Sequence, residues 1–231
     1  MRNYVIIGGS SGIGKALVDL LDQQHENVIA TYNTNEQPNR SNIKYIPFNV
    51  ETDSLDTDQF PEAIHGLVYC PGSINLKPFH RFKSEDLIND FKLQVIGATE
   101  IIKQLLPRLK KSGDASIVLF STIAVQQGFG FHSQVAVSKG AIEGLTRALS
   151  AEFAPNIRVN AIAPSLTNTN LAGRLLNSPE KLEKQSLLNP LKRVGDPTDI
   201  AELAMFLLSS KSSWVTGQIM HVDGGYSVIK Q

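Results

Sequence analysis

Short apolar runs alternate along this chain with longer stretches in which apolar residues return at helical spacing. The first run, Tyr4-Val5-Ile6-Ile7, is rich in β-branched residues and is stopped by Gly8-Gly9, which predicts a buried strand. Ile13, Ala16, Leu17, Leu20 and Leu21 then mark one face of a helix over Ile13–Leu21. Second and third strands are predicted at Val28–Ala30 and Ile43–Phe48, and a fourth at Leu67–Tyr69, closed by Pro71-Gly72. Leu87–Leu109 predicts one long helix with Gly97-Ala98 in its middle, and Ser116–Phe120 a fifth strand. Ala136–Phe153 predicts a helix unusually full of small residues. A strand at Ile157–Ala163, a helix over Thr198–Leu208 and a last strand at Gln218–Val222 complete the series.

Strands alternating with helices imply right-handed crossovers and a parallel sheet. The strands are near-continuously apolar rather than alternating, so both faces of that sheet must be covered. No linker, charge block, repeat or low-complexity segment divides the chain, and residues 1–231 read as one domain. With 42% hydrophobic and 19% charged residues the composition is that of an ordinary globular chain with enough apolar mass for a two-sided core. Lys+Arg and Asp+Glu both number 22, so nothing in the charge suggests a polyanion, and no basic patch points to nucleic acid. A single cysteine, Cys70, excludes an internal disulfide and fits a reducing compartment. The opening apolar run is too short for a signal peptide and no stretch reaches membrane-span length, so the expected location is the cytoplasm.

The strongest local signal is Gly8-Gly9-Ser10-Ser11-Gly12-Ile13-Gly14, set between the first strand and the first helix. Glycines at 8, 12 and 14 permit a tight turn, a close approach of backbone to a pyrophosphate, and tight helix–strand packing. The helix N-terminus then faces the phosphates. A glycine triplet alone is as consistent with a plain turn, but the strand before it and the helix after it favour nucleotide binding by Gly8, Ser10, Ser11, Gly12, Ile13 and Gly14. The expected architecture is a Rossmann-type, doubly wound parallel sheet of about seven strands with helices on both faces.

Further motifs extend the likeness nearly end to end. Ser138-Lys139-Gly140-Ala141 followed by Gly144-Leu145-Thr146-Arg147, Ile157 through Pro164, and Gly217-Gln218 through Asp223-Gly224-Gly225 stand in one characteristic order. With the glycine loop they resemble the short-chain dehydrogenase/reductase family. That resemblance implies hydride exchange between a nicotinamide and a carbonyl or alcohol, using Asn, Ser, Tyr and Lys. The Tyr donates a proton to the developing alkoxide, the Ser binds the same oxygen, and the ammonium lowers the Tyr pKa. Lys139 matches the Lys. The Tyr position is Val135, which has no proton to give; the Ser position is Thr122 and the Asn position Gln94. His132 lies seven residues before Lys139, where related enoyl reductases place a tyrosine, and imidazole is a competent donor near neutrality. The alternative for His132 is a loop histidine on the rim of the cleft. Ser133 is a further hydrogen-bonding group. The expected catalytic residues are Thr122, Lys139 and His132.

The resemblance also places cofactor contacts. Lys139 is expected at the nicotinamide ribose, Thr169 at the carboxamide after Pro164-Ser165, and Asn49 with Val50 at the adenine, where an amide both donates and accepts. Cys70-Pro71-Gly72 stands where the family has Asn-Ala-Gly; Gly72 lets backbone approach the ribose, and Cys70 reads as a small buried apolar group. The second strand ends at Ala30-Thr31-Tyr32-Asn33-Thr34 without the carboxylate that selects NAD, so NADP(H) is favoured over NAD(H), with Asn33 at the ribose. No metal is expected. A lid near 165–195 closes the pocket with Leu171, Leu175, Leu176, Leu187 and Leu188. Three readings follow: a reductase with a substitute acid, an enoyl-type reductase, and a non-catalytic nucleotide-binding sensor or assembly partner. A homo-oligomer, by resemblance a tetramer, is expected, with Gly97-Ala98 and the Ala141, Gly144, Ala148 face offering close helix approach.

Overall fold

The structure is a computed structural model and describes residues 1–230. Seven parallel strands form one sheet: β1 (Asn3–Ile7), β2 (Asn27–Tyr32), β3 (Ile43–Pro47), β4 (Gly66–Tyr69), β5 (Ala115–Phe120), β6 (Ile157–Pro164) and β7 (Ile219–Val222), in the order β3-β2-β1-β4-β5-β6-β7. The helices are α1 (Gly12–Gln23), α2 (Ser84–Phe91), α3 (Gly97–Ser112), α4 (Ser133–Phe153), α5 (Pro179–Leu188) and α6 (Pro197–Leu208). No helix among the described residues is long and apolar enough to cross a membrane.

The apolar strands are continuous because both faces are buried. Val5 and Ile7 enter one core with Ile101, Leu105, Ile142 and Phe153 of α3 and α4. Tyr4 and Ile6 enter the other with Leu17 and Leu21 of α1 and Ile200 and Leu207 of α6. One alternating backbone thus feeds two cores.

The predicted long helix exists but is not uniform. It runs through α2 and α3 with a π-turn over Lys92–Ile96 between them. The Tyr69 hydroxyl donates to the Leu93 carbonyl, within that turn, at 2.6 Å. Gly97 lies against the same hydroxyl so closely that a Cβ there would be 2.4 Å from it. Ala98 is fully buried. The expectation that Gly97-Ala98 forms a free docking face is therefore corrected: these small residues serve the helix–sheet contact inside the molecule. Gly144 and Ala148 of α4 are exposed, with open space beside Gly144. The sequence reading also missed α5, which Ser178 starts by accepting the Lys181 N–H at 3.3 Å, with Pro179 at its first position.

Candidate active site

The chain leaves central β1 toward β2 on one side and reaches β4 on the other, and a crevice opens beyond the carboxyl ends of the strands at this reversal. A cavity of about 990 Å³ occupies it. One end is made largely of backbone. Gly8 and Gly12 have positive φ, 76° and 51°, the left-handed region that glycine enters freely. The Gly8 N–H donates to Thr31 Oγ1 and the Gly9 N–H to the Thr31 carbonyl, both at 2.9 Å, which straps the loop to β2. Gly14 packs directly on the loop, since a Cβ there would be 2.3 Å from the Gly8 carbonyl oxygen.

Ser10, Ser11, Gly12, Ile13 and Gly14 all line the cavity. Helix α1 starts here with no side-chain cap and no acidic residue in its first turn. By contrast, α6 is closed by Asp196 and Asp199 in a reciprocal capping box. A helix N-terminus left uncapped at a cavity presents free N–H groups and a positive dipole end, which suits a phosphate. The residues present therefore fit a dinucleotide.

Beyond the loop, Asn33, Thr34 and Asn35 follow β2, and Asn35 Nδ2 donates to the Ser10 carbonyl at 2.9 Å. Asn49 and Val50 follow β3. The Asn49 side-chain carbonyl accepts the Glu51 N–H at 3.0 Å, which leaves the NH2 group and the oxygen's second lone pair for a ligand. Cys70 and Gly72 follow β4, and burial pushes the Cys70 thiol up to about 12, which keeps it protonated.

The other end is made of side chains. Thr122, after β5, accepts the Ala124 N–H at 3.3 Å and keeps its hydroxyl hydrogen for another acceptor. Val135 and Lys139 occupy successive turns of α4 and both line the cavity. Desolvation pushes Lys139 down to about 8, with the Asp90 carboxylate acting in the opposite direction. His132, just before α4, reaches the wall with its Nδ1 at 2.7 Å from the Gly130 carbonyl oxygen. Ser133 is not part of the wall. Gln94 enters it from the π-turn. Pro164 and Thr169 line the cavity after β6.

Leu171, Leu175 and Leu188 of the expected lid reach the cavity, whereas Leu176 and Leu187 do not. Successive residues of a helix point about 100° apart, so Leu187 and Leu188 of α5 cannot both face inward. Leu187 is 59% exposed. Among the site residues not read from the sequence, two stand out. Tyr226 lines the cavity and lies against Phe129, ring centroids 5.8 Å apart. The double glycine Gly224-Gly225, with φ of 62° and 85°, turns the chain back over the cleft, and that pair after the last strand was the available signal. The second is buried Asp90, whose partners include Gln94 and Ser138.

The comparisons agree with this geometry. Residues 8–227 match the family model described as "Enoyl-(Acyl carrier protein) reductase". The 3-oxoacyl-[acyl-carrier-protein] reductase FabG of Thermotoga maritima is 32% identical, with 96% of each chain covered. A tropinone reductase homolog of Arabidopsis thaliana is also 32% identical, over 98% of this chain and 93% of its own. A short chain dehydrogenase family protein of Francisella tularensis superposes with a TM-score of 0.88 at 29% identity, over 99% of this chain and 100% of its own. The chain belongs to the short-chain dehydrogenase/reductase family of NAD(P)-dependent oxidoreductases.

Proposed function

We propose that the protein reduces a small carbonyl or conjugated enoyl substrate, or oxidises the corresponding alcohol, with NADP(H) and with a proton donor other than tyrosine. One observation carries the reading: a single cavity runs from the uncapped N-terminus of α1 to Thr122 and Lys139, with Val135 in the tyrosine's place.

When bound, the nicotinamide supplies or takes up the hydride. The loop Gly8 to Gly14, with Ser10, Ser11, Gly12 and Ile13, would hold the pyrophosphate. Asn49 and Val50 would meet the adenine. Cys70 and Gly72 give the backbone of the ribose wall, with Lys139 beside it, and Pro164 and Thr169 would hold the carboxamide. Thr122 donates its hydroxyl hydrogen to the substrate oxygen, and Leu171, Leu175 and Leu188 offer the substrate an apolar face. The enoyl variant is favoured by the description of the matching family model.

The preference for NADP(H) rests on the uncharged stretch of cavity wall that follows β2. Among the described residues the cavity wall carries one carboxylate, Glu51, and it follows β3 rather than β2. Asn33, Thr34 and Asn35 leave room for a 2′-phosphate without repelling it. The proposal includes a homotetramer in the cytoplasm, with exposed Val137, Gly144 and Ala148 of α4 in the interface.

Titration calorimetry followed by an assay of NADPH oxidation against ketones, enones and enoyl thioesters tests the reading. The expected results are NADPH binding at about micromolar Kd or tighter, weaker NADH binding, and turnover of at least one substrate class. Absence of binding by both nucleotides would end the proposal.

A further inference from the structure

We propose that Asp90 is a positioning residue that keeps Lys139 in place as the ammonium proton donor of this site. The inference rests on the reductase reading above and identifies the group that replaces the missing phenol.

Asp90 closes α2 and is 3% exposed. Its Oδ1 accepts from Ser73 Oγ. Its Oδ2 accepts from Ser138 Oγ at 2.6 Å and from Gln94 Nε2 at 2.8 Å. Three donors thus converge on one carboxyl group. The donors come from the loop after β4, from the π-turn, and from the residue preceding Lys139 on α4. One buried carboxylate thus fastens three segments around the lysine.

Gln94 turns this anchor toward the cavity. Its NH2 group must face Asp90, because a carboxylate cannot donate, so its Oε1 faces the other way. That oxygen has no partner although the residue is only 1% exposed. A Cβ built on Gly72 would lie 3.4 Å from Gln94 Oε1 and 3.6 Å from Lys139 Nζ. The free acceptor and the ammonium therefore open on the same spot. The titratable groups whose charge reaches Lys139 are Asp90 from α2 and Cys70 from the end of β4, and the Cys70 thiol is neutral. Glu143, one turn further along α4, is taken by Ser121 Oγ at 2.9 Å and by Arg147 at 3.3 Å. Asp90 is then the anion that opposes burial and keeps the lysine charged.

In the reduction, the substrate carbon gains the hydride that the dihydronicotinamide supplies and the carbonyl π pair moves to oxygen. A proton leaves Lys139 Nζ to form the O–H bond, and the neutral amine regains a proton from water. The substrate is reduced and the nicotinamide oxidised, so atoms and electrons balance.

The test is the titration of Lys139 in cofactor-free protein carrying ¹³C-labelled lysine, its resonance assigned by Lys139→Met. Wild type should show a midpoint near 8. Asp90→Asn should lower it by about 1 unit or more, and the alkaline limb of kcat/KM should move with it. Gln94→Met removes the acceptor beside the ammonium and should move the midpoint the same way by less; it decides the matter if Asp90→Asn does not fold. An unmoved midpoint in a folded variant overturns the inference while leaving the reductase reading intact. A midpoint that moves while kcat/KM keeps its limb overturns the donor role. A moved midpoint in a protein that binds NADPH but reduces nothing defeats the reductase reading, and the donor role falls with it.

Discussion

The two ends of the cavity are built by different means. At the nucleotide end, backbone does the work: Gly8, Gly12 and Gly14 set the turn, and the N–H groups of an uncapped α1 face the cavity. At the substrate end, side chains from the β4 loop, the π-turn and α4 meet around Lys139. A backbone site tolerates almost no substitution at its glycines but is indifferent to most neighbouring side chains. A side-chain site can exchange one residue and still keep the rest of a buried polar arrangement, here Asp90 with Ser73, Gln94 and Ser138.

The comparison breaks most completely at Gly14. A Cβ there would sit 2.3 Å from the Gly8 carbonyl oxygen, a backbone atom that cannot move without undoing the strap to Thr31. Gly14→Ala should therefore destabilise the fold by about 3 kcal/mol or more, at or above the usual cost of overpacking. It should also abolish NADPH binding. A thermal melt and calorimetry check both. An alanine variant that melts like wild type would show the loop to be more pliable than its geometry implies. The obstacle lies inside the loop, so the effect should appear in the melt even without nucleotide.

That difference also explains what the sequence disclosed. The nucleotide end was legible because its glycines fall within seven residues, between one strand and one helix, and local spacing carries the meaning. Six of the seven strands were placed from continuous apolar runs to within a residue or so at either end, and β2 was read short, because two-sided burial leaves that signature. Asp90 was not legible. Its role depends on a π-turn that shifts the register of everything after Phe91, and on Ser73 and Ser138 from segments far apart in the chain. Asp90 and Gln94 stand four apart, but Asn89 and Lys92 beside them are polar too, so the local pattern did not single them out. Tyr226 stayed hidden because Gly224-Gly225 after β7 signals a turn but not that the turn leads back over the cleft.

Restoring the phenol sharpens the comparison. Val135 is 5% exposed yet lines the cavity, so a larger ring at this position has space on one side. Val135→Tyr, one helical turn before Lys139, should raise ketone reduction by about tenfold, less than the 100- to 10,000-fold a general acid usually contributes, because Lys139 already donates in the wild type. The gain should be in kcat, with NADPH affinity within a few fold of wild type. A variant that binds NADPH and shows no gain would mean that the substrate end has departed from the family's geometry in more than one residue.

The smallest effect is expected at His132. Its Nδ1 lies 2.7 Å from the Gly130 carbonyl oxygen, which only accepts, so Nδ1 must carry the hydrogen. In the neutral ring Nε2 is then bare and can accept a proton but not give one. The ring also packs against Phe129 at 5.3 Å between centroids, and Phe129 in turn packs against Tyr226. This arrangement suits a wall residue better than an acid. His132→Ala should therefore change turnover by no more than about threefold, far below the 100- to 10,000-fold typical of an acid–base group, and leave NADPH affinity unchanged. The assay is steady-state kinetics on the best substrate near pH 7, where a change confined to KM would mark lost packing against substrate. A fall of about 100-fold in kcat with unchanged NADPH affinity would place the imidazole in the chemistry and take the donor role away from Lys139.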